Sequence, residues 1–272
     1  MVERDMELIG QIQNNFVSYF RLFAGLPSTT FVEGDATWFC NGPGDGPGNY
    51  ILRTQFAADA ADEEIDRLLA RIGEQAKYVD WMVFPTCRPV DLGRRLEAKG
   101  ISGHRAGTWM TVDLTQSPDA PAVPQGFTIQ WVQNDAELWV WKLAQDAGFG
   151  CDEQLYYDAY TKDGYGTEAT ARHYVGFQDG QAVTSGTLLM SDGIASIYNV
   201  STPPEQRRRG YGSAITAYMM GEAIRCGNGL MWIWASDAGK SVYARLGFVE
   251  EDFGIREHTW HQGPNADVAS SA

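Results

Sequence analysis

The sequence predicts an α/β protein with α+β mixed sheets, laid out as two successive halves. Helical apolar spacing alternates with short aromatic and β-branched runs along the whole chain. A proline-bearing polar stretch near the middle separates the two series, and only the second contains a segment that reads as a chemical site.

In the first half, Leu8, Ile12, Phe16, Phe20 and Phe23 recur at three-to-four spacing, which predicts a core-facing helix over residues 3–26, ended by Gly25 and Pro27. Residues 29–40 alternate and are rich in Phe, Val and Trp. Gly and Pro punctuation over 41–49 then leads into the apolar run 50–52, so a hairpin with a loose tip is expected. Ile65, Leu68, Leu69 and Ile72 share one face of a predicted helix over 62–77, whose acidic first turn suits the helix dipole. A strand over 80–85, a helix over 90–99 stopped by Gly100, and a strand over 105–114 complete the half.

Residues 115–125 carry Pro118, Pro121 and Pro124 among Ser, Asp and Ala, the composition of an extended linker. The expected domains are therefore residues 1–117 and 126–262, with a linker over 118–125 and a flexible tail over 263–272. The second half opens with a strand over 127–132 and helices over 135–147 and 152–160. Strands over 172–178, 182–190 and 194–202 follow, with Asp179-Gly180 and Asp192-Gly193 as hairpin turns. Tyr211, Ala214, Ile215, Tyr218, Met219 and Ala223 then mark a helix, before a buried strand over 230–235, a short helix over 238–246 and strand-like residues 248–260.

With 44% hydrophobic and 21% charged residues, the 272-residue chain has the composition of a compact globular protein. A formal net charge of −14 argues against a nucleic-acid partner, which would need a broad basic footprint, and is compatible with cationic substrates. Cys40, Cys87, Cys151 and Cys226 lack Cys-x-x-Cys spacing, so neither a metal site nor a redox motif is expected. The first residues lack a signal-peptide pattern and no apolar run approaches membrane-spanning length. A cytoplasmic protein without a membrane partner is expected, and a homodimer is left open.

Against this acidic background one stretch stands out, Val200-Ser-Thr-Pro-Pro-Glu-Gln-Arg-Arg-Arg-Gly-Tyr-Gly-Ser213. Pro203 and Pro204 end a strand because they offer no ladder N–H, while Gly210 and Gly212 let a backbone approach a ligand closely. The free N–H groups of the helix's first turn then lie beside three arginines, an anion site suited to phosphate. No Lys-Ser/Thr follows a spaced Gly pair, and no Gly-x-Gly-x-x-Gly opens the helix, so P-loop and dinucleotide motifs fit worse.

Arg207-Arg208-Arg209-Gly210-Tyr211-Gly212 resembles the pyrophosphate-binding signature of the GNAT N-acetyltransferases, Arg/Gln-x-x-Gly-x-Gly/Ala. Further on, Tyr243-Ala-Arg-Leu-Gly247-Phe248 is similar to the family's Tyr-x-x-x-Gly-Phe segment, and the order of predicted elements over residues 127–260 is the family's order. The resemblance implies a GNAT fold in the second half and acetyl-CoA as co-substrate. Its pyrophosphate would lie over the amides of Arg209, Gly210, Tyr211, Gly212 and Ser213, helped by the side chain of Arg207 or Arg208. Its pantetheine arm would pair with the backbone of Val200 and Thr202 where that strand splays from residues 231–235, and Ser236 and Tyr243 join the cofactor-binding set.

The resemblance further implies that the Val200 N–H polarises the thioester carbonyl while the Tyr243 phenol protonates the departing thiolate. A primary amine of a small molecule would attack directly in a ternary complex, without a covalent enzyme intermediate. No glutamate occupies residues 194–202, so Tyr198 or Asn199 is expected to orient a water; Asp237, His173 and Glu205 are weaker candidates and the base stays unassigned. Trp139, Phe149, Tyr156, Tyr157 and Tyr160 are expected to recognise the acceptor. The same residues also suit a CoA-binding pseudoenzyme or regulatory module, for which the missing strand carboxylate speaks, or an enzyme of this fold using another acyl donor.

The first half holds an echo. Trp81-Met-Val-Phe followed by Leu96-Glu-Ala-Lys-Gly100-Ile101 parallels Met231-Trp-Ile-Trp followed by Tyr243-Ala-Arg-Leu-Gly247-Phe248. A diverged tandem GNAT-like repeat is expected. Leu96 stands opposite Tyr243 and no Arg-rich Gly-x-Gly entry occurs there, so the first copy should lack a cofactor site.

Overall fold

A computed structural model describes residues 3–42, 46–116 and 121–263. The chain runs α1 (Glu3–Arg21), β1 (Thr30–Val32), β2 (Ala36–Cys40), β3 (Tyr50–Thr54), α2 (Ala61–Gly73), β4 (Tyr78–Val83), α3 (Leu92–Ala98), β5 (Gly103–Arg105) and β6 (Thr108–Asp113). It continues with β7 (Phe127–Trp131), α4 (Asp135–Phe149), α5 (Gln154–Asp163), β8 (Ala171–Gln178), β9 (Gln181–Ser191), β10 (Ile194–Ser201), α6 (Tyr211–Arg225), β11 (Leu230–Ala235), α7 (Asp237–Arg245), β12 (Val249–Glu251) and β13 (Arg256–His261). Most elements fall where their periodicity predicts. The Asp179-Gly180 and Asp192-Gly193 pairs all adopt positive φ, as tight hairpin turns require.

The domain boundary lies elsewhere than expected. One compact unit holds the chain up to Leu26 together with Gly107–Phe253, and the other holds Pro27–Ala106 and the residues from Gly254 on. None of these crossings falls in the proline-rich stretch 118–125, of which residues 118–120 lie outside the described residues. The tail expected over 263–272 lies outside them from residue 264. The single strand expected over 105–114 is two strands in different sheets, and so is the strand-like run 248–260.

Both breaks sit at a glycine that the geometry demands. Gly107 has φ +59° and a Cβ there would lie 2.1 Å from the Trp234 indole nitrogen; Gly254 has φ +69°. Both φ values lie in the left-handed region that side-chain-bearing residues avoid.

Each unit has its own mixed sheet, ordered β1-β2-β3-β4-β13-β5 in one and β12-β6-β11-β10-β9-β8-β7 in the other. The two orders contain the same motif. A strand pairs in parallel with its neighbour at only two positions, Tyr50↔Asp80 and Ile51↔Trp81 in β3–β4, Ala195↔Met231 and Ser196↔Trp232 in β10–β11. The second strand of each pair then takes an antiparallel partner from the far end of a half, β13 beside β4 and β6 beside β11. The following helix ends alike in both, with Ile101 N donating to Leu96 O at 3.0 Å and Phe248 N to Tyr243 O at 3.1 Å around a glycine of positive φ. The repeat read from sequence is therefore present in backbone geometry.

In the Gly107–Phe253 unit, α6 covers one sheet face with Ile215, Met219 and Ala223 against Leu188, Ile197 and Met231. α1 enters the same unit through Asn15, which is fully buried. Its amide donates to Ser191 O, Ser191 Oγ and Ile194 O at 3.2, 3.0 and 3.2 Å. Its Oδ1 accepts from Ser196 Oγ at 2.6 Å and Trp232 Nε1 at 3.0 Å. Phe16 packs edge-on to Trp109, Trp232 and Trp234 within 6.1 Å. Removing the amide strands the buried Trp232 N–H and two carbonyls, so Asn15→Ala should lower unfolding stability by roughly 3 kcal/mol in urea titrations. A change within 0.5 kcal/mol would show that the hub contributes nothing net.

Candidate active site

The site is organised by where β10 loses its partners. β8, β9 and β10 form an antiparallel meander, and β10 pairs with β9 through Tyr198 and again at Ser201, with a bulge between them. Asn199 in that bulge has φ +54°. On the other edge, pairing with β11 ends at Ser196, although β10 continues to Ser201 and β11 to Ala235. The splayed gap expected beside Val200 is thus a feature of the backbone, and Asn199 and Val200 have no ladder partner on β9. The Val200 side chain packs against the core, which leaves its backbone as the group on offer.

Beyond β10, Pro203 and Pro204 lead through a short 3-10 turn to Arg207, and Arg208 and Gly210 take φ of +63° and +87°. Gly210 is the residue before α6 and makes no side-chain cap, so the N–H groups of Tyr211, Gly212 and Ser213 are not used within the helix. A Cβ on Gly212 would meet only Thr202 Oγ1, at 3.8 Å, so the approach to these amides is open. The Tyr211 ring points inward and stacks on Phe127 at 5.2 Å, contributing its backbone only.

The three arginines differ. Arg207 is turned back onto the fold, with Nε donating to Thr202 O at 2.9 Å and Nη2 to Gly148 O at 3.1 Å. Arg209 Nη2 donates to Glu205 O at 3.3 Å. The exposed Arg208 side chain has no hydrogen bond or ion pair among the described residues and is the one available to an anion. Thr202 is held by Thr184, whose hydroxyl lies 3.1 Å from Thr202 Oγ1 and donates to Ser201 O at 2.7 Å.

Ser236 caps α7, accepting from Gly239 N at 3.2 Å. One helical face further on, the Tyr243 ring is edge-on to Phe248 with centroids 5.8 Å apart, and Gly239 lies so close that a Cβ would sit 2.7 Å from the ring. Burial pushes the phenol up to about 12, so it keeps its proton through neutral pH.

The aromatic residues expected to recognise an acceptor separate into groups. Tyr160 is fully buried, stacks on His173 at 4.0 Å and donates to Asn199 Oδ1 at 2.7 Å, which makes it a prop of the bulge. Tyr156 lies edge-on to Phe23 at 5.3 Å. Trp139 and Tyr157 form an edge-on pair at 5.3 Å, with Trp139 44% exposed on the α4 face away from buried Trp141 and Gln145. Phe149 is 52% exposed at the end of α4. Tyr198 stacks on Tyr19 of α1 at 3.7 Å, and burial raises its phenol well above the ordinary range.

Of the other proton acceptors considered, Asp237 and Glu205 are exposed. His173 is buried, with Nδ1 3.0 Å from Thr187 Oγ1 and Nε2 without a partner among the described residues, and burial lowers its pKa to about 3. It is a neutral structural ring.

Sequence reading missed Tyr19, Gln145 and Glu153. Gln145 is fully buried and donates to Ser185 Oγ at 2.7 Å and Asn199 O at 2.5 Å. Glu153 is 7% exposed and is the N-cap residue of α5. Burial raises its pKa, and the Asp146 and Asp152 carboxylates push the same way against Lys142 and the Cys151 thiol, which donates to Oε1 at 3.0 Å. Each carried a faint signal, a polar side chain at a position where its neighbours' spacing calls for an apolar one.

A strand meander, a bulged strand parting from a parallel neighbour, and a glycine-led helix at its end invite comparison with known structures. A GCN5-related N-acetyltransferase from Kribbella flavida aligns over 92% of this chain and 96% of its own at 17% identity, with a TM-score of 0.64. A tandem GNAT protein from the clavulanic acid biosynthesis pathway aligns over 98% of both chains at 14% identity and TM-score 0.60. A GCN5-related N-acetyltransferase from Sphaerobacter thermophilus aligns over 93% of this chain and 88% of its own at 16% identity and TM-score 0.57. The fold is that of the GNAT acetyltransferases. An FR47-like protein family model, also of GNAT type, matches residues 174–260, from β8 through β13. No curated protein matches the chain by sequence.

A cavity of about 830 Å³ lies outside this candidate site. It is lined by Glu7, Gln11, Thr111, Asp113, Leu230 and Glu251, at the end of β11 opposite to the gap, and contains no predicted site residue.

The buried His173 makes a pH prediction. In the unfolded chain it binds a proton below about pH 6.5, while the folded protein keeps it neutral down to about pH 3. Across that window the unfolded state holds the extra proton, so stability falls by about 1.4 kcal/mol per unit as pH drops. Between pH 7 and pH 5, wild type should lose about 2 kcal/mol more than His173→Gln in urea unfolding. Parallel losses would mean that His173 does not carry the shift.

Proposed function

We propose that the chain is an acetyl-CoA-dependent N-acetyltransferase that acylates a primary amine of a small molecule by direct attack in a ternary complex. The observation that carries this reading is the open edge of β10, abandoned by β11 after Ser196 and running into the unclaimed amides of α6. An extended amide-bearing arm can pair with such an edge as an added strand, and a pyrophosphate can sit on such a helix entry. Coenzyme A combines both groups with a thioester that supplies the activated acyl carbon.

In this reading the Val200 N–H and its neighbours hold the thioester carbonyl oxygen as negative charge develops. The amine nitrogen attacks the carbonyl carbon, the N–C bond forms and the C–S bond breaks. The sulfur leaves with the bonding pair and takes the Tyr243 proton, and the phenolate is reprotonated by the proton released from the new amide nitrogen. Burial keeps Tyr243 in its donor form before each turnover. The ammonium must first lose a proton, and in this reading it goes to the buried Glu153 carboxylate at the N-cap of α5, the helix whose Tyr160 holds Asn199. Its raised pKa makes it a stronger base than an exposed glutamate.

The Pro27–Ala106 segment supports one coenzyme per chain. There the counterpart of the gap, beyond Ile51↔Trp81, is closed by the chain itself. Arg88 N donates to Thr54 O at 2.9 Å, Phe56 N donates to Arg88 O at 3.2 Å, and Gln55 bridges to Arg88 in parallel.

Calorimetric titration with acetyl-CoA should give a stoichiometry of one, and Arg208→Ala should weaken binding about tenfold, as expected for one charge-assisted phosphate contact. Unchanged affinity in Arg208→Ala, or two sites per chain, would sink the assignment.

Thiol release measured across a panel of primary amines tests the chemistry. Tyr243→Phe should lower kcat at least tenfold with acetyl-CoA affinity nearly unchanged, whereas equal losses in both would assign the ring to packing. Wild-type kcat/KM should rise with pH through a pKa above the ordinary glutamate value as Glu153 ionises, and Glu153→Gln should abolish that limb. Persistence of the limb in the variant would assign it to another group.

A further inference from the structure

The reaction proposed above needs a donor at a fixed point in the gap, and nothing on β10 itself holds the bulge in place. Asn199 bears a side chain yet sits at φ +54°, a backbone state that reverts to ordinary extended geometry unless its surroundings enforce it. Reversion would restore the β9 ladder through Asn199 and Val200 and withdraw the Val200 N–H from the acyl group. Something outside the strand must therefore pull on this peptide.

The pull comes from α4. Trp141, Gln145 and Gly148 lie on one face of that helix and are buried. Trp141 Nε1 donates to Gly186 O at 3.2 Å, and Ser201 Oγ donates to Ala144 O at 3.0 Å. A Cβ on Gly148 would lie 2.3 Å from Ser201 Oγ, so α4 and the end of β10 are in the closest backbone approach that glycine permits. Within this contact Gln145 Nε2 reaches both Ser185 Oγ, at 2.7 Å, and Asn199 O, at 2.5 Å. The carbonyl of Asn199 can only accept, which settles that the amide nitrogen and not the amide oxygen faces it. Gln145 Oε1 is left buried with no donor among the described residues, so the side chain serves the strand rather than its own satisfaction. Tyr160 holds the other half of the same residue, donating to Asn199 Oδ1 at 2.7 Å.

We infer that Gln145 is a positioning residue for acyl transfer: by binding the Asn199 carbonyl it holds the β10 bulge in the state that presents the Val200 N–H to the thioester oxygen. This rests on the acetyl-CoA reading and adds the source of the site's preorganisation. Gln145 touches no reacting atom. Its amide acts through the peptide that follows Asn199, with Tyr160 as the secondary hold.

The test reads the carbonyl itself and needs no acceptor. The infrared stretch of acetyl-CoA labelled with carbon-13 at the carbonyl is recorded free and bound to the full chain. Wild type should shift the band to lower frequency because the carbonyl is polarised. Gln145→Met, which keeps length and apolar volume but has no N–H, should lose about half of that shift or more while calorimetric affinity stays within about threefold of wild type. Tyr160→Phe, a deletion of one oxygen, provides a second variant should the methionine protein not fold, and should lose a smaller part of the shift. A full wild-type shift in these variants at matched occupancy would overturn the inference while leaving the acetyl-CoA reading intact. Failure of wild type to bind acetyl-CoA, or to shift its carbonyl, would overturn both.

Discussion

The parting of β10 from β11 after Ser196 is the constraint on which the remaining architecture depends. A parallel pair that stops short exposes a strand edge in the middle of a sheet, and such edges are tolerated only where something manages them. Four devices converge on this one. The bulge at Asn199 twists β10 away from β11, the prolines at 203 and 204 end it, α4 and α5 grip Asn199 through Gln145 on its carbonyl and Tyr160 on its side chain, and β11 recovers a full partner in β6 on its other side. The gap is therefore built at some cost in sheet pairing, which argues for use.

The first half shows what the same architecture does without that use. It retains the two-position parallel pairing of β3 with β4, the antiparallel strand delivered from the distant end of a half, and the helix that closes on Gly100. Where the second half leaves its edge open, the first folds the Thr86–Arg88 backbone into it and satisfies Thr54 O and Phe56 N internally. A filled edge needs neither a charged helix entry nor a phenol on the following helix, and Leu96 in the place of Tyr243 is fully buried. Divergence of the two copies can be followed through one variable, whether the chain fills the strand edge or leaves it open.

Much of the fold and the anion site could be read directly from the residues, because periodicity, proline stops and glycine entries are local signals. The helix at Tyr211, the strand over Leu230–Ala235 and both hairpin turns are set by neighbours a few positions away. What could not be read is everything decided by long-range exchange. The partner sheet of the residues on either side of Gly107 and Gly254 is set by distant strands, and a proline-rich stretch drew the boundary to itself instead. The site residues divide in the same way. Arg208 and Gly210 belong to a contiguous motif, while Gln145 and Tyr19 acquire meaning only through the strand they meet, and aromatic density on α4 and α5 could not separate the buried Tyr160 from the exposed Trp139.

The role of α1 follows from the same exchange. A sheet that carries a gap has lost ladder bonds on one side of β10, and Asn15 replaces cohesion from above by tying the β9–β10 turn and Trp232 of β11 to one side chain. Its position is at the root of the splay, beside Ser196, where the two strands still pair. That placement lets the strands diverge beyond it without unzipping behind it. Tyr19, one turn further along α1, then lies flat on Tyr198 at the edge of the gap. The first helix of the chain, expected from the sequence in a separate domain, thus anchors the fork and reaches the strand beside the gap with a single element.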